Sequence, residues 1–385
     1  MLLLTAAAAN AQQVSQQEAF RKATAFFNKE QLPTIKQKAL LAYQATKSAA
    51  SQTTGDDAYY YIFNRGDNQG FVIVSGDERC YDILGWSDHG TFDKNKIPCN
   101  FKYFLGEYER QIRYVQEYNL QPDVNVTIKG SAKTDIPCLI KTKWDQASPY
   151  WDNLVYSNYQ CYTGCVATAM AQVMYYWQWP ETTTKAIPGY SSTITYLSGS
   201  RERTLSYTHS QLPVTSFDWT GMQLLYNAGD DDNGAVAKLM EYAGHAVKMQ
   251  YGAENTSGSG AYTTDVASAL TGYFGYSSQA AYVARSTSSW SSSSLSATAW
   301  QDTIYNNLKD GCPLIMCGSN SDGGHCFVCD GYSTQYTNKT DGSGYYHINW
   351  GWSGNSDGYF DLEVMAPGAM GSGASGSDGF TGPTG

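Results

Sequence analysis

Apolar side chains return at helical spacing in the first segment, where Phe20, Ala23, Phe26 and Phe27 share one stripe, and residues 14 to 48 are therefore predicted helical. A Ser/Thr/Gly break at 49 to 55 ends that pattern. Two strand-like runs follow, AYYYIFNR and GFVIVSGD, and the glycines from Gly66 to Gly70 between them predict a hairpin. A helix-like segment from Phe104 to Tyr118 leads into the polar stretch TIKGSAKTD at 127 to 135. That stretch reads as the boundary of a small α+β module, with Lys133 as an accessible cut site.

Beyond it, Val166, Ala167, Met170, Ala171, Val173, Met174 and Trp177 form one apolar helical face, which predicts a helix over 166 to 179 that Pro180 ends. A second helix is predicted over 234 to 243, with GDDDNGA before it supplying caps rather than a calcium loop. Residues 189 to 215 and 253 to 297 are rich in Ser, Thr, Gly and Tyr and read as loops or edge strands. GGHCFVCDGY and GYYHINWGW, joined by the polar STQYTNKTDGS, predict a strand pair. A glycine-rich tail follows, and the pattern shows no internal repeat.

Composition narrows the class. With 385 residues, 14% aromatic, 37 glycines and 16% charged, the chain is long enough for two domains and rich in loops. A net charge of −10 and the lack of a basic block argue against nucleic acid as a partner. MLLLTAAAANA ends in Ala9, Asn10 and Ala11, which resembles a signal-peptide end, and no other run suggests a membrane span, so a secreted protein is expected. Asn125 and Asn338 fit the glycosylation sequon. Nine cysteines leave at least one unpaired thiol. CFVC lies in a strand-like run whose alternation sends Cys326 and Cys329 to opposite faces, so buried inert thiols are expected there and no metal site.

Chemistry concentrates at QCYTGCVATAMAQVMYYWQWP, residues 160 to 180. Cys165 heads the helix, at the positive end of its dipole, where a thiolate is favoured; the plain alternative is a packed small hydrophobe. A nucleophile needs a base, and among the histidines at 89, 209, 245, 325 and 347, His325 follows two glycines and precedes an apolar strand. His347 in the next strand is the weaker competitor. Asn349, Trp350 and Trp352 could orient and cover the imidazole. The Cys165 N–H and the Gln160 side chain could serve an oxyanion.

GCVATAMAQVMYYW, GGHCFVCDG, YYHINWGWSGNSDGYFDL and GFVIVSGDERCYDILGWS together resemble the motifs of the streptopain-like (interpain-like) cysteine peptidases of the papain-like clan. The resemblance runs from about residue 14 to the tail. It implies an α+β chain made as a zymogen: a signal remnant at 1–11, an inhibitory pro-domain at 12–133 and a papain-like catalytic domain at 134–385. It further implies a cysteine endopeptidase working through a thioester, with an apolar residue favoured two positions before the cut. Cys165 matches the nucleophile, His325 the general base and Gln160 the oxyanion glutamine; Asn349 and Trp350 compete as the orienting group. The implied partners are protein and peptide substrates and the chain's own pro-domain as inhibitor, with no cofactor. Cys161, Cys326 and Cys329 depart from the family pattern, and the early end at GFTGPTG suggests a fragment of a longer protein. The rivals are a transglutaminase-type acyltransferase and an inert surface-binding protein.

Overall fold

The computed structural model describes residues 12–29, 39–46, 58–122, 133–227, 230, 234–285, 295–320, 323–336, 339 and 342–365. The signal-like start, both sequons and the glycine-rich tail lie outside the described residues.

Helix α1 (Gln16–Asn28) starts where Ser15 accepts a hydrogen bond from the Glu18 N–H at 3.2 Å, and it buries Ala19, Ala23, Phe26 and Phe27. The expected long helix stops there. Leu40–Thr46 is strand β1, paired antiparallel with β2 (Ala58–Asn64). Its LLAYQAT pattern fits either period, and the neighbouring strand decides it. The predicted hairpin forms between β2 and β3 (Phe71–Ser75), followed by β4 (Ile83–Ser87) and helix α2 (Cys99–Glu117).

In the second half, β5 (Val155–Tyr156) and β6 (Tyr159–Gln160) precede helix α3 (Cys165–Trp177). Strands β7 (Tyr190–Ser198) and β8 (Arg201–His209) form a separate two-stranded sheet. Helices α4 (Ala235–Ala246), α5 (Asp265–Tyr273) and α6 (Ala297–Lys309) come next, then β9 (Leu314–Asn320), β10 (Gly323–Ser333), β11 (Tyr345–Asn349) and β12 (Gly358–Phe360). Helix α5 corrects the loop reading of 253 to 297, and α6 starts where that segment ends. Their Ser/Thr-rich surroundings hide short apolar stripes, Val266, Ala269 and Leu270 in one and Trp300, Ile304 and Leu308 in the other. The α4 start also differs from expectation, because its cap is Gly234 at φ 78° with no side-chain cap.

The two halves share one sheet. Eight strands run in the order β1-β2-β3-β4-β12-β11-β10-β9, so the amino-terminal module joins the rest through the antiparallel pair β4–β12, Trp86 opposite Tyr359 and Gly85 opposite Phe360. Alternation along β10 divides the core: Cys326 and Val328 pack on the α3 side, Phe327 and Cys329 on the α2 side. The opposite facing of Cys326 and Cys329 is thus as expected. The inert-thiol reading of Cys326 is not, because β9–β10 register sets it opposite Cys317 and the two form a disulfide.

Glycine at the seam is a packing requirement. A Cβ on Gly85 would lie 2.5 Å from Phe360 Cδ1 and 2.9 Å from the Tyr359 carbonyl oxygen. Gly85→Ala is therefore expected to destabilise the full chain by about 1–3 kcal/mol, read as a lower denaturant midpoint. An unchanged midpoint would mean that β4 and β12 are not packed in this register.

Candidate active site

The start of α3 is fixed by Gly164, whose φ of 85° suits glycine and where a Cβ would meet Met249 Cε and Sδ at 2.9 Å. Cys165 follows as the first helical residue. Its Sγ accepts a hydrogen bond from the Cys326 N–H at 3.3 Å. Burial pushes the thiol above its ordinary range, while N–H groups of Cys326, Val166 and Cys165 itself pull the other way.

His325 stands next to that N–H, on β10, and it shares a cavity of about 740 Å³ with Cys165. The cavity's further walls come from Ser191 and Thr195 on β7, Val247, Tyr262 and Tyr282. A second, more apolar cavity of about 750 Å³ lies beyond Cys317 among Trp177, Trp179 and Trp300, and neither Cys165 nor His325 lines it.

Among the described residues no hydrogen bond joins Cys165 to His325. The imidazole instead meets the amino-terminal module: Nδ1 is 3.8 Å from Cys99 Sγ, and the Tyr103 ring sits edge-on at 5.0 Å. Burial lowers the His325 pKa. Asn100, fully buried beside them, donates from Nδ2 to the Trp350 carbonyl at 2.7 Å and the Cys326 carbonyl at 3.3 Å. The start of α2 is thereby hooked onto the strand that carries His325. Sequence reasoning missed Cys99, Asn100 and Tyr103. A signal existed in CNFKYF, where a polar Asn precedes the apolar stripe of Phe101, Phe104 and Tyr108.

The other expected groups are engaged elsewhere. Gln160 Nε2 donates to the Trp151 carbonyl at 2.6 Å, so its amide is tied to a nearby loop in this arrangement. Asn349 donates to the Thr142 carbonyl at 2.8 Å and accepts from Gln172 Nε2 at 3.1 Å and the Gly351 N–H at 3.0 Å. It braces α3 against β11 rather than orienting His325. Trp350 is buried against Phe101, Phe104, Phe327 and Phe360, with its indole N–H on the Ser356 carbonyl at 2.9 Å; Trp352 packs at the edge of that cluster. In this arrangement the Thr142 and Ser356 carbonyls hold Asn349 and Trp350, and among the described residues no hydrogen bond joins either to His325.

The remaining histidines separate from Cys165. His347 bonds Asp330, His89 bonds Asp88 and the Gly354 carbonyl, and His209 and His245 are buried around Tyr190. Lys133, read as an accessible cut site, has its ammonium 2.8 Å from Asp302 and over the Tyr305 ring. Its side chain is anchored and only 21% exposed.

A thiol at a helix start and a strand-borne imidazole thus line one cavity, and helix α2 of the amino-terminal module lies against the imidazole. The chain belongs to the Peptidase C10 family, which residues 144–360 match, while residues 11–112 match the Spi protease inhibitor. It is 30% identical over 391 residues to the thiol protease/hemagglutinin PrtT of Porphyromonas gingivalis, covering 97% of this chain but 41% of that protein. It is 32% identical over 355 residues to streptopain of Streptococcus pyogenes, covering 86% of this chain and 80% of that one. The solved structure of a Prevotella intermedia prointerpain A fragment matches with a TM-score of 0.64 and 28% identity over 90% of this chain and 97% of the fragment. The architecture is therefore an α+β pro-domain preceding a cysteine peptidase domain. Among the described residues no helix is long and apolar enough to cross a membrane.

Proposed function

We propose that the chain is an exported cysteine endopeptidase made latent, with residues 12–133 as inhibitor and 134–385 as catalytic domain, and with Cys165 as nucleophile and His325 as acid and base. The observation that carries this is the meeting of the α3-start thiol and the β10 imidazole in one cavity. The Cys165 thiolate attacks the scissile carbonyl carbon, a C–S bond forms, and the C–N bond breaks as the His325 imidazolium protonates the leaving amine. Water, deprotonated by His325, then cleaves the thioester and restores the thiol. The α3-start N–H groups stabilise the oxyanion, joined by Gln160 once its amide leaves the Trp151 carbonyl.

The test is casein hydrolysis before and after limited proteolysis, with a thiol alkylator as control. Activity should appear on cutting and vanish on alkylation. Hydrolysis that survives alkylation would remove the thiol from the reaction. Incubating the activated protein with peptide and a primary amine separates the acyltransferase reading: free acid should dominate, and amide as the main product would favour transfer.

Val166, Val247, Tyr262 and Tyr282 give the cavity an apolar wall suited to a side chain two positions before the cut. Enclosing Ile or Phe there is worth about 1.5–3 kcal/mol, a preference of about tenfold to a hundredfold over Asp or Lys. A peptide library read by kcat/KM measures it. A flat profile at that position would remove the wall from substrate selection.

A further inference from the structure

A second thiol, away from Cys165, is held by a carboxylate and an imidazole. Cys138 on the segment leading to β5, Asp330 on β10 and His347 on β11 bring their sulfur, oxygen and nitrogen atoms within 4.8 Å of one another. Asp330 is buried, and its two oxygens are both engaged: Oδ1 lies 2.6 Å from His347 Nδ1, and Oδ2 accepts the Ile140 N–H at 2.9 Å. Carboxylate, imidazole and thiol therefore form one compact cluster that the Ile140 N–H fixes in place. Cys138 itself is half-buried. Neither Cys138 nor His347 lines the cavity that contains Cys165.

We propose that Cys138 is a second reactive thiol, activated by the Asp330–His347 pair, and that it takes small organic disulfides to form a mixed disulfide. The Cys138 thiolate attacks one sulfur of the disulfide, a new S–S bond forms and the old one breaks. The departing thiolate receives the proton that His347 holds. One thiol and one disulfide are consumed, and one thiol and one mixed disulfide result. Asp330 and His347 act on the sulfur through this pair and are positioning residues.

The electrostatics agree with the geometry. Burial opposes charge on His347, but the Asp330 charge and hydrogen bond outweigh it and hold the imidazole well above its usual range. The ionisable groups facing the cluster are Tyr359, whose hydroxyl is 3.5 Å from Cys138 Sγ, Cys329 behind it, and Asp88 and Asp357 along the seam. Lys141 donates from Nζ to the Cys138 carbonyl at 2.6 Å, adding a second positive charge.

The experiment uses the full chain carrying Cys165→Ala, treated with oxidised glutathione and mapped by peptide mass spectrometry. Cys312 is also half-buried and free, and serves as the internal standard. Cys138 should thiolate about tenfold faster than Cys312 near pH 7, and that advantage should be lost once pH rises far enough to deprotonate His347. Asp330→Asn and His347→Gln, each checked for a retained fold, should bring Cys138 down to the Cys312 rate. A Cys138 rate no greater than that of Cys312, a ratio independent of pH, or a fast Cys138 in either folded variant overturns the proposal.

Discussion

Cys165→Ala is expected to lower casein hydrolysis by the activated protein by more than about a thousandfold while the fold is kept. Alanine is the best helix former, so α3 retains its start, and Gly164 before it is untouched. The structural loss is one acceptor for the Cys326 N–H, of the order of 1 kcal/mol, against a peptidase core that spans α3, α4 and the inner face of β10. His325→Ala should match it in activity, since without the imidazole neither leaving amine nor water is served. The two losses should not add, because the groups act as a unit. Steady-state kinetics with unchanged circular dichroism would bear this out. A Cys165→Ala protein retaining a tenth of the activity would move the nucleophile elsewhere.

Latency is the second large effect. In the closed form, burial raises the Cys165 thiol and lowers the His325 imidazole, so both shifts favour the neutral pair over thiolate and imidazolium. The imidazole Nδ1 also lies 3.8 Å from Cys99 Sγ, and among the described residues no hydrogen bond joins it to Cys165. Removing the module is expected to return water to both groups and to free His325 to turn. The uncut chain should therefore hydrolyse casein at least about a hundredfold more slowly than the cut one. Residues 12–133 added in trans should restore inhibition. Asn100→Ala should weaken that inhibition about tenfold to a hundredfold, because it leaves the Trp350 and Cys326 carbonyls buried without their donor. Equal inhibition constants for the two modules would mean that this hook does not hold the strand.

The elements that local pattern decides were legible: α1 from its apolar stripe, the β2–β3 hairpin from its glycines, α3 from Val166 to Trp177, and the β10–β11 pair. Pairing across long sequence separation was not. Nothing near Trp86 announces a partner 273 positions on, though Gly85 and Gly358 mark where two backbones come close. The same limit hid the Cys317–Cys326 disulfide, which depends on β9–β10 register, and the grip of Cys99, Asn100 and Tyr103 on His325. Within the site, Cys165 and His325 could be proposed from helix-start chemistry and glycine spacing. Asn349, Trp350 and Gln160 show why neighbours are harder: their polar atoms have several backbone partners within reach, and only packing selects among them.

The most direct measurement follows casein hydrolysis by the activated protein during iodoacetamide treatment near neutral pH, with modification of each cysteine quantified by peptide mass spectrometry. Activity should fall in one-to-one proportion to alkylation at Cys165, and His325→Ala should slow that alkylation. Loss of activity that instead tracks Cys138, Cys161 or Cys312, or hydrolysis that persists with Cys165 fully alkylated, would contradict the assignment of the nucleophile.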